Sequence, residues 1–220
     1  MDFPAQFLPA WWFLLSNLAY CVLLVLAVRA APLERLRDNG FSHLFFAAVV
    51  GVLVVWSIRA GVGNTLHFHL LAVTVLSLMF GWGLAFLAVS LVLLGVTLNG
   101  AASMEAFGLN ALLMGGVPIL ITQVLLRFAR RRLPHNFFVF IYVNGFLAAG
   151  LSLVAVGVLG AGLLWLGGHS PAWLVRQYLM YMLLLFFSEA FLNGMITTML
   201  AALRPKWICS FDDETYIDGK

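Results

Sequence analysis

Charge is what this chain has least of. Asp, Glu, Lys and Arg make up 10% of its 220 residues, whereas 63% are hydrophobic. That balance excludes an ordinary soluble domain, whose surface needs far more charge to stay wetted. Cysteine is nearly absent. Cys21 falls in the first apolar run and Cys209 in the C-terminal tail, so neither a CxxC pair nor a disulfide framework exists. There is no G-x-x-x-x-G-K-[ST] sequence and no segment large enough for a nucleotide-hydrolysing domain. A G-x-S-x-G elbow is missing too, and the late apolar runs hold no histidine, which excludes a serine hydrolase within the membrane. Met1-Asp-Phe-Pro4 has no basic n-region and leads to no small-residue cleavage site, so the first apolar run is expected to remain as a membrane helix. With no linker, low-complexity stretch or clear internal repeat, one membrane domain (residues 1–203) and a cytoplasmic tail (residues 204–220) are enough.

What the chain does have is apolar length. Its mean hydropathy is +1.03, and it carries 19 Phe and 7 Trp. No alternating barrel pattern appears, and the runs are long enough to cross a hydrocarbon core of roughly 30 Å as helices. The expectation is an all-α integral membrane protein of about seven transmembrane helices: Ala10–Val28, Phe41–Ile58, Leu66–Phe80, Leu84–Leu98, Leu109–Phe128, Phe137–Gly167 and Ala172–Leu203. The third and fourth are short and separated only by Gly81-Trp-Gly83. The last two are long and must tilt, bend or protrude. Arg29, Arg35 and Arg37 follow the first span. Arg127, Arg130, Arg131 and Arg132 close the fifth, and Arg204 and Lys206 follow the seventh. Seven spans put all three clusters on one side. By the positive-inside rule the N-terminus is then outside and the C-terminus cytoplasmic.

In so apolar a chain each ionisable group needs a partner. His67 and His69 lie in Asn64-Thr-Leu-His-Phe-His-Leu70, where the chain enters the third span on the outward side. On a regular helix positions i and i+2 point apart. In an extended segment they project to one side, and Gly61-Val-Gly63-Asn64 argues for an irregular approach. Two imidazoles so placed suit nickel, copper, zinc or cobalt, or are simply wetted at the interface. Glu189 interrupts the last apolar run, where a lipid-facing carboxylate costs about 2.5–3.5 kcal/mol. Asn193 and Thr197 follow at four-residue steps and share its face, which should turn to the bundle interior. An ion path and a structural hydrogen-bonded network both fit that stripe. Asn110 and Asn144 are further buried candidates to partner Glu189. On this reading the histidines sit at the outer rim and Glu189 some distance along the last span. Met104, Met114, Met180, Met182, Met195 and Met199 show no MxxM repeat and are read as packing. The tail mixes acids with Trp207, Phe211, Tyr216 and Ile217, richer in aromatics than a purely disordered segment; docking on a cytoplasmic partner or on the protein itself, and a solvated tail anchored at the membrane by Trp207, both fit it.

Four stretches resemble one known family. Phe7-Leu-Pro-Ala-Trp11 resembles its FLPxxW lead into the first helix, and Phe68-His69-Leu70 with Leu78-Met-Phe-Gly81 resembles its FHL…LLGP stretch. Asn110-Ala-Leu-Leu-Met114 resembles its N-x-x-x-M element, and Glu189-Ala-Phe-Leu-Asn-Gly-Met-Ile-Thr197 its E-G/A-x-I-T pattern. The family is the CbiM/NikM group, the cobalt and nickel substrate-binding components of energy-coupling-factor ABC transporters, and the resemblance runs from about residue 1 to 203.

That resemblance implies a membrane permease subunit, not an enzyme, that captures a divalent transition metal for uptake across a bacterial plasma (inner) membrane. The metal, nickel or cobalt with zinc or copper as alternatives, would be its substrate, with no intrinsic cofactor. A transmembrane coupling protein and a separate cytoplasmic ATPase are the implied partners, beside the lipid bilayer, and nucleic acid is not. In the family the N-terminal amine, a histidine at position two and a histidine in the FHL stretch hold the metal. Here His69 inherits the last role and Met1 the first, but position two is Asp2, a harder oxygen ligand. His67 is the candidate to replace the missing imidazole. Asn110, Glu189 and Asn193 are expected as supporting or packing groups around the ligands. Two other readings stay open from sequence: a subunit that kept the fold without transporting, and a membrane-embedded metalloenzyme using His67, His69 and Glu189.

Overall fold

The computed structural model describes residues 8–62, 66–212 and 216, with side chains for all of these except 60–62, 66 and 67. Apart from one short hairpin it is helical. Among the described residues six helices are long and apolar enough to cross a membrane. The first two, α1 (Ala10–Ala30) and α2 (Asn39–Ser57), each bury only a narrow stripe and leave Leu, Val and Phe side chains outward, as lipid contact requires. Asp38 caps α2 by accepting from the Phe41 N–H at 2.8 Å.

The third long element, α3 (Val73–Leu98), is the centre of the fold and is buried along most of its length. Its backbone is not helical at Gly81 (φ 77°, ψ 171°), where the sequence placed a boundary between two short spans. The chain turns back on itself there. The Leu71 carbonyl accepts from Trp56 Nε1 near the end of α2, at 2.9 Å. Phe80 packs edge-on against Phe41 and Phe45 near the start of α2, with ring centroids 5.8 and 5.3 Å apart. Gly95 then lies against Leu53, and Ala101 accepts from Arg59, both back toward the end of α2. A half-helix, Val73–Phe80, therefore runs one way, and the longer arm after Gly81 returns. Only glycine adopts the Gly81 conformation cheaply. At Gly83 space is the constraint, since a Cβ would sit 2.9 Å from the Ala27 carbonyl oxygen of α1.

The expected third span, Leu66–Phe80, is thus corrected at its start. Leu66–Phe68 is strand β2, paired antiparallel with β1 (Ala60–Val62) in the register Ala60–Phe68, Gly61–His67 and Val62–Leu66. Helix begins only at Val73. Phe68 pins the hairpin into the bundle, its ring 5.8 Å from Tyr178 and 5.6 Å from Tyr181.

The rest of the bundle contains three π-helical stretches. A short helix α4 (Phe107–Ala111) continues through the π-turn Leu112–Gly116 into α5 (Val117–Arg132). Helix α6 (Phe137–Val139) continues through the π-segment Phe140–Leu147 into α7 (Ala148–Leu166). Finally α8 (Pro171–Leu174) passes through Val175–Leu179 into α9 (Met180–Leu203).

Break and tail complete each other. Interrupting α3 at Gly81 deprives the carbonyls one turn earlier of their helical partners. The Cys209 N–H donates to Met79 (3.0 Å), and the Ser210 N–H and hydroxyl donate to Leu78 (3.2 and 2.8 Å). Gln123 Nε2 reaches Ser77. Arg130 donates to the Ser210 carbonyl at 2.7 Å, and Phe211 and Tyr216 pack with Phe140. The tail, which composition left between docking and a solvated state anchored by Trp207, docks here on the protein. Arg35 and Arg130 both lie close enough to Cys209 to pull on its thiol, so basic residues following α1 and closing α5 meet the tail at one end of the bundle.

Candidate functional site

Ahead of the half-helix the chain descends from strand β2 into the bundle. His69, 2% exposed, lies against Trp56, with ring centroids 4.7 Å apart. Its Nδ1 is 3.0 Å from the Leu70 carbonyl oxygen, which only accepts. Nδ1 therefore carries a proton, and Nε2 is the nitrogen that the neutral ring offers a metal. Trp56, itself fully buried, fixes both the ring and the following backbone through its bond to Leu71. Nothing in the sequence marks Trp56 beyond its place at the end of a span, where interfacial tryptophans are common.

Two residues past the imidazole, Glu189 takes hold of the loop. The Leu71 N–H donates to Oε2 at 2.7 Å, and the Ala72 N–H donates to Oε1 at 2.8 Å. Asn193 Nδ2 donates to the same Oε1 and to the Glu189 carbonyl, both at 2.8 Å, while Asn193 Oδ1 accepts from the Val75 N–H at 3.1 Å. These are the unpaired donors at the start of the half-helix, where an anion is also favoured by the helix dipole. Ala72 is the one non-glycine residue with positive φ among the described residues (φ 55°). The carboxylate bond holds it in a conformation that alanine otherwise avoids.

This geometry corrects one expectation. Glu189 is not set apart in depth from the histidine; it grips the backbone next to it, because the loop dips inward to meet α9. Asn110 and Asn144 are not its partners. Both are fully buried on other helices, and the carboxylate is taken up by Leu71, Ala72 and Asn193. Glu189, Asn193 and Thr197 share one inward face, at 1%, 0% and 1% exposure.

Of the four residues expected to hold metal, His69 alone has a described side chain. His67 sits opposite Gly61 in the hairpin, and its side chain lies outside the described residues, as do Met1 and Asp2. Among the described residues no three His, Cys, Asp or Glu side chains converge.

The chain matches, over residues 2–207, the sequence model of CbiM, described as a cobalt uptake substrate-specific transmembrane region. Its fold is similar to two solved structures. One is a crystal structure of a truncated transition metal transporter, with a TM-score of 0.71 and 14% identity over 92% of this chain and 99% of that one. The other is a crystal structure of a transition metal transporter, with a TM-score of 0.70 and 14% identity over 92% and 93%. At that identity the likeness is one of fold. No curated protein matches the chain.

Proposed function

Because the chain belongs to the CbiM family, it is a multi-pass membrane component of metal uptake and not an enzyme, and we propose that it captures a divalent ion of the cobalt or nickel class at His69. The metal is its substrate. The family supplies one component of multi-subunit cobalt transporters. The partners we propose here are a transmembrane coupling protein and a separate cytoplasmic ATPase, in a bacterial plasma (inner) membrane. The outward N-terminus and seven traversals belong to the same proposal. The gathering of basic residues at the tail end of the bundle supports both.

The observation that carries the reading is the state of His69. An imidazole held in one tautomer by a backbone carbonyl, stacked on a buried tryptophan and followed by a clamped backbone is a pre-oriented nitrogen donor. The Met1 amine, Asp2 and His67 complete the proposed ligand set, and Glu189, Asn193 and Asn110 support it without ligating. Asp2 brings an oxygen where the family has an imidazole, which shifts preference toward harder ions. Amine and imidazoles must lose protons to bind, so affinity falls with acid.

The test is calorimetry on protein purified with its native Met1 and no N-terminal tag, against Ni²⁺, Co²⁺, Zn²⁺ and Cu²⁺, with His69→Ala alongside. One-to-one binding lost in the variant is expected. Binding of none of the four above the variant's background would overturn the reading and leave a subunit that kept the fold without transporting.

A further inference from the structure

On one flank of the bundle α1 and α5 both pack on α3 and leave a trough between them. Leu23 of α1, Trp82 and Phe86 of α3, Gly116 of the π-turn, and Gln123 and Arg127 of α5 help to line this cavity of about 400 Å³. The trough has a direction. At the tail end of the bundle α1 ends, the second arm of α3 begins and α5 ends. Trp82 and Arg127 therefore stand at the mouth on that side, whereas Leu23, Phe86 and Gly116 lie deeper in the hydrocarbon. The eleven residues from Gly116 to Arg127 advance about 16 Å along a helix. Gly116 leaves the inner part open: a Cβ there would stand 3.6 Å from Leu23 Cδ2 and 3.9 Å from Phe86 Cε2, so a longer side chain would fill the space.

Charge separates the two ends. Arg127 is exposed, and among the lining residues it is the one ionisable side chain, so no acid within the cavity offsets it. Gln123 turns its amide NH₂ to the Ser77 carbonyl and hydroxyl, at 3.3 and 3.0 Å. A guanidinium and an indole at the interface, with an apolar channel leading inward, suit a ligand with an anionic head and an apolar tail. Size argues against insertion of a helix from another protein. About 16 Å of helix, about 10 Å across, takes more than about 1,000 Å³, and an acyl chain is far slimmer. Arg131 and Arg132 are exposed at the same end of α5 but do not line the trough. They show what an arginine does there when it only faces bulk headgroups.

We infer that the trough is a site for one anionic phospholipid, with its phosphate on Arg127 and one acyl chain laid along Leu23, Phe86 and Gly116. The guanidinium donates to phosphate oxygens as a planar fork, and the chain lies in the orientation it has in the bilayer. So placed, the lipid joins α1 to α5. Helix α1 buries only a narrow stripe of its own, and the lipid adds to what holds it on the bundle. The site is independent of metal capture at His69.

The test is native mass spectrometry of the detergent-purified protein, with phosphatidylglycerol and phosphatidylcholine of the same chains added in equal amounts. One phosphatidylglycerol per protein is expected, preferred over phosphatidylcholine by roughly ten-fold or more. Arg127→Gln should abolish that preference, and Arg131→Gln with Arg132→Gln should keep it. Gly116→Leu, which fills the trough, should lose the retained lipid altogether. In a parallel thermal melt phosphatidylglycerol should raise the melting temperature of wild type but not of Gly116→Leu, and inorganic phosphate alone should raise neither. Should Gly116→Leu not fold, the arginine variants decide alone. Equal retention of the two lipids by wild type would overturn the site, as would a double variant at Arg131 and Arg132 that loses the preference as fully as Arg127→Gln. A folded Gly116→Leu protein that retains lipid like wild type, or a melting shift with phosphate alone, would overturn it too.

Discussion

Replacing Glu189 by glutamine keeps the side chain's shape and removes one acceptor where three donors converge. The amide oxygen can take the Oε1 position and keep Ala72 and Asn193, but its NH₂ then faces the Leu71 N–H. Two buried donors lose their acceptor, at about 1–3 kcal/mol each, or about 2–6 kcal/mol together. The opposite flip is worse, because Ala72 and Asn193 both lose theirs. Since Leu71 and Ala72 follow His69 directly, the loss falls on the segment that aims the imidazole. A quarter to a half of it expressed in binding, about 0.5–3 kcal/mol, weakens metal affinity by about two-fold to a hundred-fold, at 1.4 kcal/mol per decade. Glu189→Gln is therefore expected to melt lower than wild type in detergent and to bind metal at least about two-fold more weakly at unchanged stoichiometry. Glu189→Ala strands all three donors and should hardly accumulate as folded protein. Calorimetry beside a thermal melt of the same preparations reads both. A glutamine variant with wild-type melting temperature and affinity would refute the clamp.

Ala72→Gly relieves the left-handed alanine without touching the carboxylate, and should raise thermal stability by about 0.5–1 kcal/mol with metal affinity unchanged; a loss of stability would show that alanine is not strained there. Deleting residues 204–220 strips the Leu78 and Met79 carbonyls of their donors. At about 1–3 kcal/mol for each stranded group, the melting temperature should drop clearly, and equal melting would mean that the tail contacts contribute nothing. Burial pushes the Cys209 thiol up, against a smaller opposite pull from Arg35 and Arg130. A raised folded value favours the protonated thiol, so its stabilisation is complete below the unfolded value of about 8.5 and is lost as pH rises through the folded one. Iodoacetamide labelling at Cys209, followed against pH, should have its midpoint above that of the denatured chain, and the reverse order would refute the assignment.

Much of the scaffold is legible in the sequence because lipid leaves a chain few choices. Helix length, apolar composition and arginine placement locate α1, α2 and the later spans to within a few residues. Gly81 marks the reversal in α3, since a positive φ in an apolar run needs glycine. The four-residue spacing of Glu189, Asn193 and Thr197 shows their common face, and the H-x-H spacing suits the extended strand that carries His67. The depth of His69 is hidden for a physical reason. An extended segment can enter the membrane only if its backbone donors are met, and the groups that meet them lie more than a hundred residues away. No local pattern announces that Glu189 binds Leu71 and Ala72, or that Ser210 binds Leu78. The π-segments are equally silent in the sequence.

Those long separations set an order of assembly. Leu71 and Ala72 leave the ribosome 118 and 117 residues before Glu189, and Leu78 precedes Ser210 by 132. Until α9 and the tail have been made, the half-helix is open at both ends and has no stable place in the hydrocarbon. During synthesis the region from β1 to Phe80 must wait at the interface or in the insertion machinery while α5, α7 and α9 enter, and it moves inward last. The nascent chain therefore acquires its buried histidine only once translation is essentially complete, and a ribosome stalled before α9 leaves a bundle whose centre has not yet been filled.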